Sequence, residues 1–180
     1  MSVVRIDLMA SAAGKIGGVT WHHLFLVASD AAGRQTYLRA GPQCLPIDKL
    51  AGRATALGDP LEAFEPSPAG PYGVIAISTG AYGPGTVDFD PAAADATLAS
   101  GNAAARLWDK VGEAAKAIGA EQIPYDPAGK GANWAIMEAL RRCGAQVSLP
   151  PKRWAPGAGV LGAAAPQEGT RRVGQAVVVA

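Results

Sequence analysis

Residues 19–28, Val-Thr-Trp-His-His-Leu-Phe-Leu-Val-Ala, decide the fold class. In an extended strand, successive side chains fall on opposite faces. Trp21, His23, Phe25 and Val27 share one face, and Thr20, His22, Leu24 and Leu26 share the other. Apolar groups on both faces predict a strand covered above and below, central in its sheet. Asp30-Ala-Ala-Gly33 reads as a turn, and Gln35 to Ala40 returns as the partner strand. Upstream, Val4, Ile6 and Leu8 alternate within residues 3–9 and predict another strand, whereas the small, Gly-rich residues 11–18 read as a loop.

Downstream, Pro42, Pro46, Pro60, Pro66, Pro68 and Pro71 punctuate residues 41–71, with one short helix expected over 48–57. Tyr72 to Thr79 reads as a buried strand, Gly80 to Gly85 as a turn, and Thr86 to Phe89 as an extension of the sheet. Two helices follow. Ser100 or Asn102 caps the first, which runs to about Ile118 with Leu107, Val111, Ala114, Ala115 and Ile118 as its buried stripe. The second runs from about Asn133 to Cys143, buries Ile136, Leu140 and Cys143, and turns Glu138, Arg141 and Arg142 to water. The predicted class is α+β: an antiparallel sheet of about four to five strands packed on two main helices, with Pro/Gly-rich extensions. Residues 1–149 form the domain, and 150–180 an extended tail. The tail ends in Gln175-Ala-Val-Val-Val-Ala180, which is apolar and β-prone. It is expected to pack on the domain or on a neighbouring chain, as a protein partner or by self-assembly.

Composition narrows the function classes. Formal net charge is +1, so no global field draws the chain to nucleic acid or anionic lipid. Apolar residues make up 49% of the chain, enough for a core, yet no apolar run nears the roughly 20 residues of a membrane span. Arg5 and Asp7 interrupt the first apolar segment, so no signal peptide is expected and synthesis is placed in the cytoplasm. The 23 glycines and 14 prolines, about a fifth of the chain, imply many turns.

Few residues offer chemistry. His22 and His23 are the chain's two histidines and are candidate general bases, since imidazole titrates near neutrality. The plain alternative is one buried, hydrogen-bonded ring beside one at the surface. Two histidines cannot close a zinc site without carboxylates, so no metal and no cofactor is expected. Cys143 ends its helix, where the dipole raises a thiol pKa, and reads as a core residue. Cys44, in the loop Gly41-Pro-Gln-Cys-Leu-Pro46, is the remaining candidate nucleophile. Asp88 and Asp90, two apart on an expected strand, share a face and could hold a cation or act as acid and base; an exposed strand end is the simpler reading. Gly14-Lys15 is not a phosphate loop, because Ile16 stands where Ser or Thr is needed. Trp21, Trp108, Trp134 and Trp154 are scattered, as core or interface anchors are.

The run from His22 to Leu38 resembles the histidine hairpin of permuted papain-like hydrolases, which include NlpC-type peptidases and lecithin:retinol acyltransferase-like proteins. In these the histidine strand comes first and the nucleophile opens a later helix. The chain is most similar to uncharacterised members from phages and bacterial toxins, with Arg39-Ala-Gly-Pro42, Gly85-Thr-Val-Asp88, Gly131-Ala-Asn-Trp134, Gly144, Pro150-Pro151 and Pro156-Gly157 following in the family's order. Where those members carry Asn-Ser-Asn-Ser, this chain keeps only Asn133, and neither Ala132 nor Trp134 can attack a carbonyl. The resemblance therefore implies a non-catalytic structural or interaction protein, such as a phage virion or tail component. The alternative is a peptidoglycan-type amide or ester hydrolase using a histidine base and Cys44. A third reading, a small-molecule or carbohydrate-binding module, keeps the cleft as a pocket with Asn133, Trp134 and Asp88 as its binding residues.

Overall fold

The computed structural model of the chain describes residues 3–16, 18–43, 72–86, 88–145, 147, 149 and 154–158. The helix expected over 48–57, Cys44 and the tail beyond Ala158 lie outside these residues. The architecture is α+β, as expected. Five strands, β1 (Val3–Ile16), β2 (Val19–Asp30), β3 (Gln35–Pro42), β4 (Ile75–Ala81) and β5 (Ala94–Ser100), make one antiparallel sheet in the order β4-β3-β2-β1-β5. Two helices follow, α1 (Asn102–Ala120) and α2 (Ala132–Arg142).

β2 is the central strand, and its residues from His22 to Ala28 are buried without a break. The Asp30 carboxylate sets the β2–β3 turn, accepting hydrogen bonds from the backbone N–H of Ala32 and Arg34, both at 2.9 Å. One face of the sheet meets the helices. Leu8, Leu24, Leu26, Leu38 and Ile75 pack there against Val111, Ala115 and Ile118 of α1 and Ile136, Ala139 and Leu140 of α2. Each such large side chain, fully withdrawn from water, contributes about 1.5–3 kcal/mol. Trp21 lies over Gly14, where a Cβ would fall 2.7 Å from the indole nitrogen.

Four expectations change in detail. β1 runs on through Ile16 instead of ending in a loop near Ser11, because β2 continues to pair it to Ile16↔Val19 past an irregularity between Ala12 and Gly14. Thr86 to Phe89 does not extend the sheet; the chain turns there, and the fifth strand is Ala94–Ser100. Its Ala-rich alternation is too weakly apolar to announce a strand. Neither Ser100 nor Asn102 caps α1; Gly101 stands at the N-cap with φ 58 and no side-chain bond. β4 lies a little later than expected, at Ile75–Ala81.

Among the described residues no helix is long and apolar enough to cross a membrane. Arg142 joins the two helix ends, pairing with Glu121 just past α1 and with Glu138 one turn back, while Arg141 also holds Glu138 at 2.7 Å. Arg141 and then Arg142 hold the Glu138 carboxyl down at about 2. A carboxylate depressed in the folded state stabilises above its unfolded pKa and loses that contribution as pH falls toward its folded value. Glu138→Gln is therefore expected to flatten the fall in melting temperature between about pH 5 and pH 2, measured by circular dichroism, with little change in slope above pH 6.

Candidate functional site

The site grows from a gap in the sheet. β2 and β3 are paired from Ser29↔Gln35 to Leu26↔Leu38. Beyond that point β3 continues along β4 as far as Pro42↔Ile75, while β2 parts from it. The backbone groups of His22 and Leu24 on that side would otherwise be buried without partners, at a cost of about 1–3 kcal/mol each. Side chains and the chain's later residues fill the gap instead.

Asn133, in the first turn of α2, is the main filler. Its Oδ1 accepts the Leu24 N–H at 2.8 Å, and its Nδ2 donates to the His22 carbonyl at 3.0 Å and to the Pro156 carbonyl at 2.9 Å. One amide thus serves as a ladder partner for two residues of β2 and also anchors residues 154–158. Both of its donor hydrogens are used. The His22 N–H donates to the Trp154 carbonyl at 2.8 Å, and the same carbonyl lies 3.3 Å from His22 Nδ1. Trp21 and Trp154 form a parallel bridge. The start of the predicted tail therefore packs on its own domain, with Ala155 and Ala158 in the core. Gly157 permits the approach: its φ is 76, and a Cβ there would meet the Gly129 carbonyl oxygen at 2.5 Å.

The N-terminus of α2 is closed in other ways too. The Tyr125 ring closes on Gly131, where a Cβ would fall 3.5 Å from it, and burial pushes its hydroxyl pKa up. Trp134 is half-buried, with the Lys130 ammonium 5.5 Å from its ring centre. Ala132 is buried.

His23 points to the other face of the sheet. Its Nε2 lies 3.1 Å from the Ala40 carbonyl, across the same gap, and its Nδ1 lies 3.1 Å from Asp88 Oδ2. Arg39 Nη1 lies 3.2 Å from the same carboxylate oxygen. Burial pushes the Arg39 guanidinium down and Asp88 pushes it back up. Asp88 reaches this position from a turn, with φ 65, a left-handed conformation that Asp tolerates better than most residues. Above the cluster, Tyr82 packs at a tilt against Phe25 and Phe89, at 5.6 and 5.5 Å between ring centres.

Several expectations about site residues are corrected by this geometry. The two histidines are both buried, at 4% and 7% exposure, and neither is a surface ring. They belong to opposite faces of β2, as the strand alternation predicts. Asp88 and Asp90 do not share a strand face. Asp90 turns back to accept the Ala92 N–H at 2.8 Å, while Asp88 joins His23 and Arg39. Cys143 is half-buried against the core, where burial raises its thiol pKa. Cys44 lies outside the described residues. Arg39 was visible in the sequence as a charge inside an apolar strand, a position that demands a buried carboxylate. Ser78, opposite Arg39 on β4, has a buried hydroxyl with no hydrogen-bond partner among the described residues.

A general base needs a ring nitrogen free to take a proton from the reacting group. Both nitrogens of His23 face protein acceptors. Among the described residues no group of three or more His, Cys, Asp or Glu could hold a metal ion. Comparison with protein-family models, with curated proteins and with solved structures finds no match to this chain.

Two substitutions test the framework. Asn133→Ala strands the Leu24 N–H and two carbonyls, and is expected to cost about 3 kcal/mol or more in urea unfolding at pH 7. Asp88→Ala leaves the Arg39 charge buried without its carboxylate, an expected loss of about 3–5 kcal/mol. The double variant Arg39→Met/Asp88→Ala is expected to recover part of that loss.

Proposed function

We propose that this chain is a non-catalytic structural or interaction protein, built on a degenerate permuted papain-like hydrolase fold and serving in an assembly such as a phage virion or tail. The observation that carries this reading is Asn133. In the hydrolases the chain resembles, the start of the late helix presents a nucleophile to the histidine strand. Here that start meets β2 through an amide whose hydrogens are both spent on backbone carbonyls. The flanking Ala132 and Trp134 have no nucleophilic atom.

The low net charge and the apolar C-terminal end favour contacts between chains over contacts with nucleic acid. Assembly then runs through the C-terminal tail, residues 159–180, which follow the last described segment.

Two measurements test the proposal on the full chain. Light scattering is expected to report a species larger than the monomer, reduced to monomer when the chain is cut after Ala158. A thiol-directed electrophile and a fluorophosphonate at pH 7 are expected to leave no adduct faster than a free cysteine gives. Rapid labelling of Cys44 that disappears in His22→Ala or His23→Ala would restore the hydrolase reading and end this one.

A further inference from the structure

The sheet face opposite the helices carries a cavity that the histidine cluster does not use. Its volume is about 210 Å³, below that of pockets for drug-sized molecules and suited to one small ring. Register explains its shape. Arg5, Ser29 and Gln35 stand side by side across β1, β2 and β3. The next row is Asp7, Val27 and Tyr37. The Tyr37 ring leans away over Gly80, where a Cβ would fall 2.9 Å from it, and this leaves the small Val27 as the cavity floor. Tyr82, which Phe25 and Phe89 meet at a tilt, supplies an aromatic wall.

The lining chemistry selects a ligand class. Arg5 Nε donates to Asp7 at 2.8 Å, so the two charges in the cavity cancel at short range. A charged ligand gains little from a neutral pair and meets one like charge. Asp7 also accepts from the Thr97 hydroxyl at 2.8 Å, which fixes its carboxylate in place, and a carboxylate keeps further acceptor sites for ligand hydroxyls. Gln35 Nε2 donates to Ser29 Oγ at 3.3 Å, so these two groups form a mixed donor and acceptor edge across from the carboxylate. Adjacent hydroxyls can donate to Asp7 while accepting from Gln35, and the C–H face of a saturated ring suits Tyr82 and Val27.

We propose that this cavity binds one neutral sugar ring, held by its vicinal hydroxyls between Asp7 and the Ser29–Gln35 edge and by its apolar face on Tyr82. The proposal uses none of residues 159–180, so it stands or falls separately from the assembly reading.

The experiment is a titration of the ¹⁵N-labelled full chain with glucose and with N-acetylglucosamine, using glucuronate and glucosamine as the anionic and cationic counterparts. Millimolar binding of a neutral sugar is expected, with amide shifts confined to residues near Ser29, Gln35 and Tyr82. Gln35→Ala, a change at an exposed side chain, is expected to weaken it at least about fivefold with an unchanged thermal midpoint. Absence of shifts up to about 50 mM of either neutral sugar overturns the proposal. So does tighter binding of a charged counterpart, or an affinity that Gln35→Ala leaves unaltered.

Discussion

The structure depends on one amide placed where a strand is missing. An antiparallel sheet can let two strands part only if the ladder groups thus exposed find other partners, because an orphaned buried N–H or C=O costs a large share of a domain's net stability. Between β2 and β3 that requirement falls on Asn133. Its oxygen and its two N–H groups match one donor and two acceptors in fixed positions. Asp has no N–H to offer the carbonyls, and Gln would have to fold back an extra methylene. The same three bonds fix the start of α2 against β2 and hold residues 154–158 beside it. Helix, sheet and late segment are therefore registered to one another by a single side chain.

The opposite face solves a different problem. Central strands bury both faces, and here the second face carries His23 and Arg39 among apolar neighbours. Burying the Arg39 guanidinium without a carboxylate is costly, and Asp88 supplies the carboxylate from the turn after β4. That pairing explains a backbone conformation a regular strand could not give. A strand through Thr86–Phe89 would have carried Asp88 along a sheet edge, whereas the turn lifts it over the face. The aromatic cluster of Phe25, Tyr82 and Phe89 then closes the turn down on the sheet.

Much of this was legible in the sequence. The two-sided apolar run of β2 announced a central strand, and the 3.6-residue stripes announced both helices, Ile118 and Ile136 among their buried residues. Asn133 stood out only through a resemblance, as the residue kept when its hydroxyl neighbours were not. Nothing local marks an Asn in a first helical turn as a sheet bridge, because its partners lie more than a hundred residues earlier. Asp88 was picked for the wrong reason: spacing suggested a shared strand face with Asp90, and a positive φ cannot be read from a Val-Asp-Phe-Asp run. β5 escaped notice because Ala, Thr and Ser carry little hydrophobic contrast. Its hold on the sheet comes from pairing with β1 and from the Thr97–Asp7 bond.

A reactive centre needs polar groups that the folded chain leaves for a substrate to satisfy. Along the gap the chain satisfies its own: Asn133 gives both hydrogens to carbonyls, and His23 turns both nitrogens to protein acceptors. Each of these bonds adds stability and leaves the gap between β2 and β3 closed as a structural joint. Polar side chains converge on open volume instead at the far end of the second face. There, Asp7 is fixed by Arg5 and Thr97 with acceptor capacity to spare, and Gln35 and Ser29 border the opening. The proposed recognition site is where hydrogen-bonding capacity is held rigid and left over.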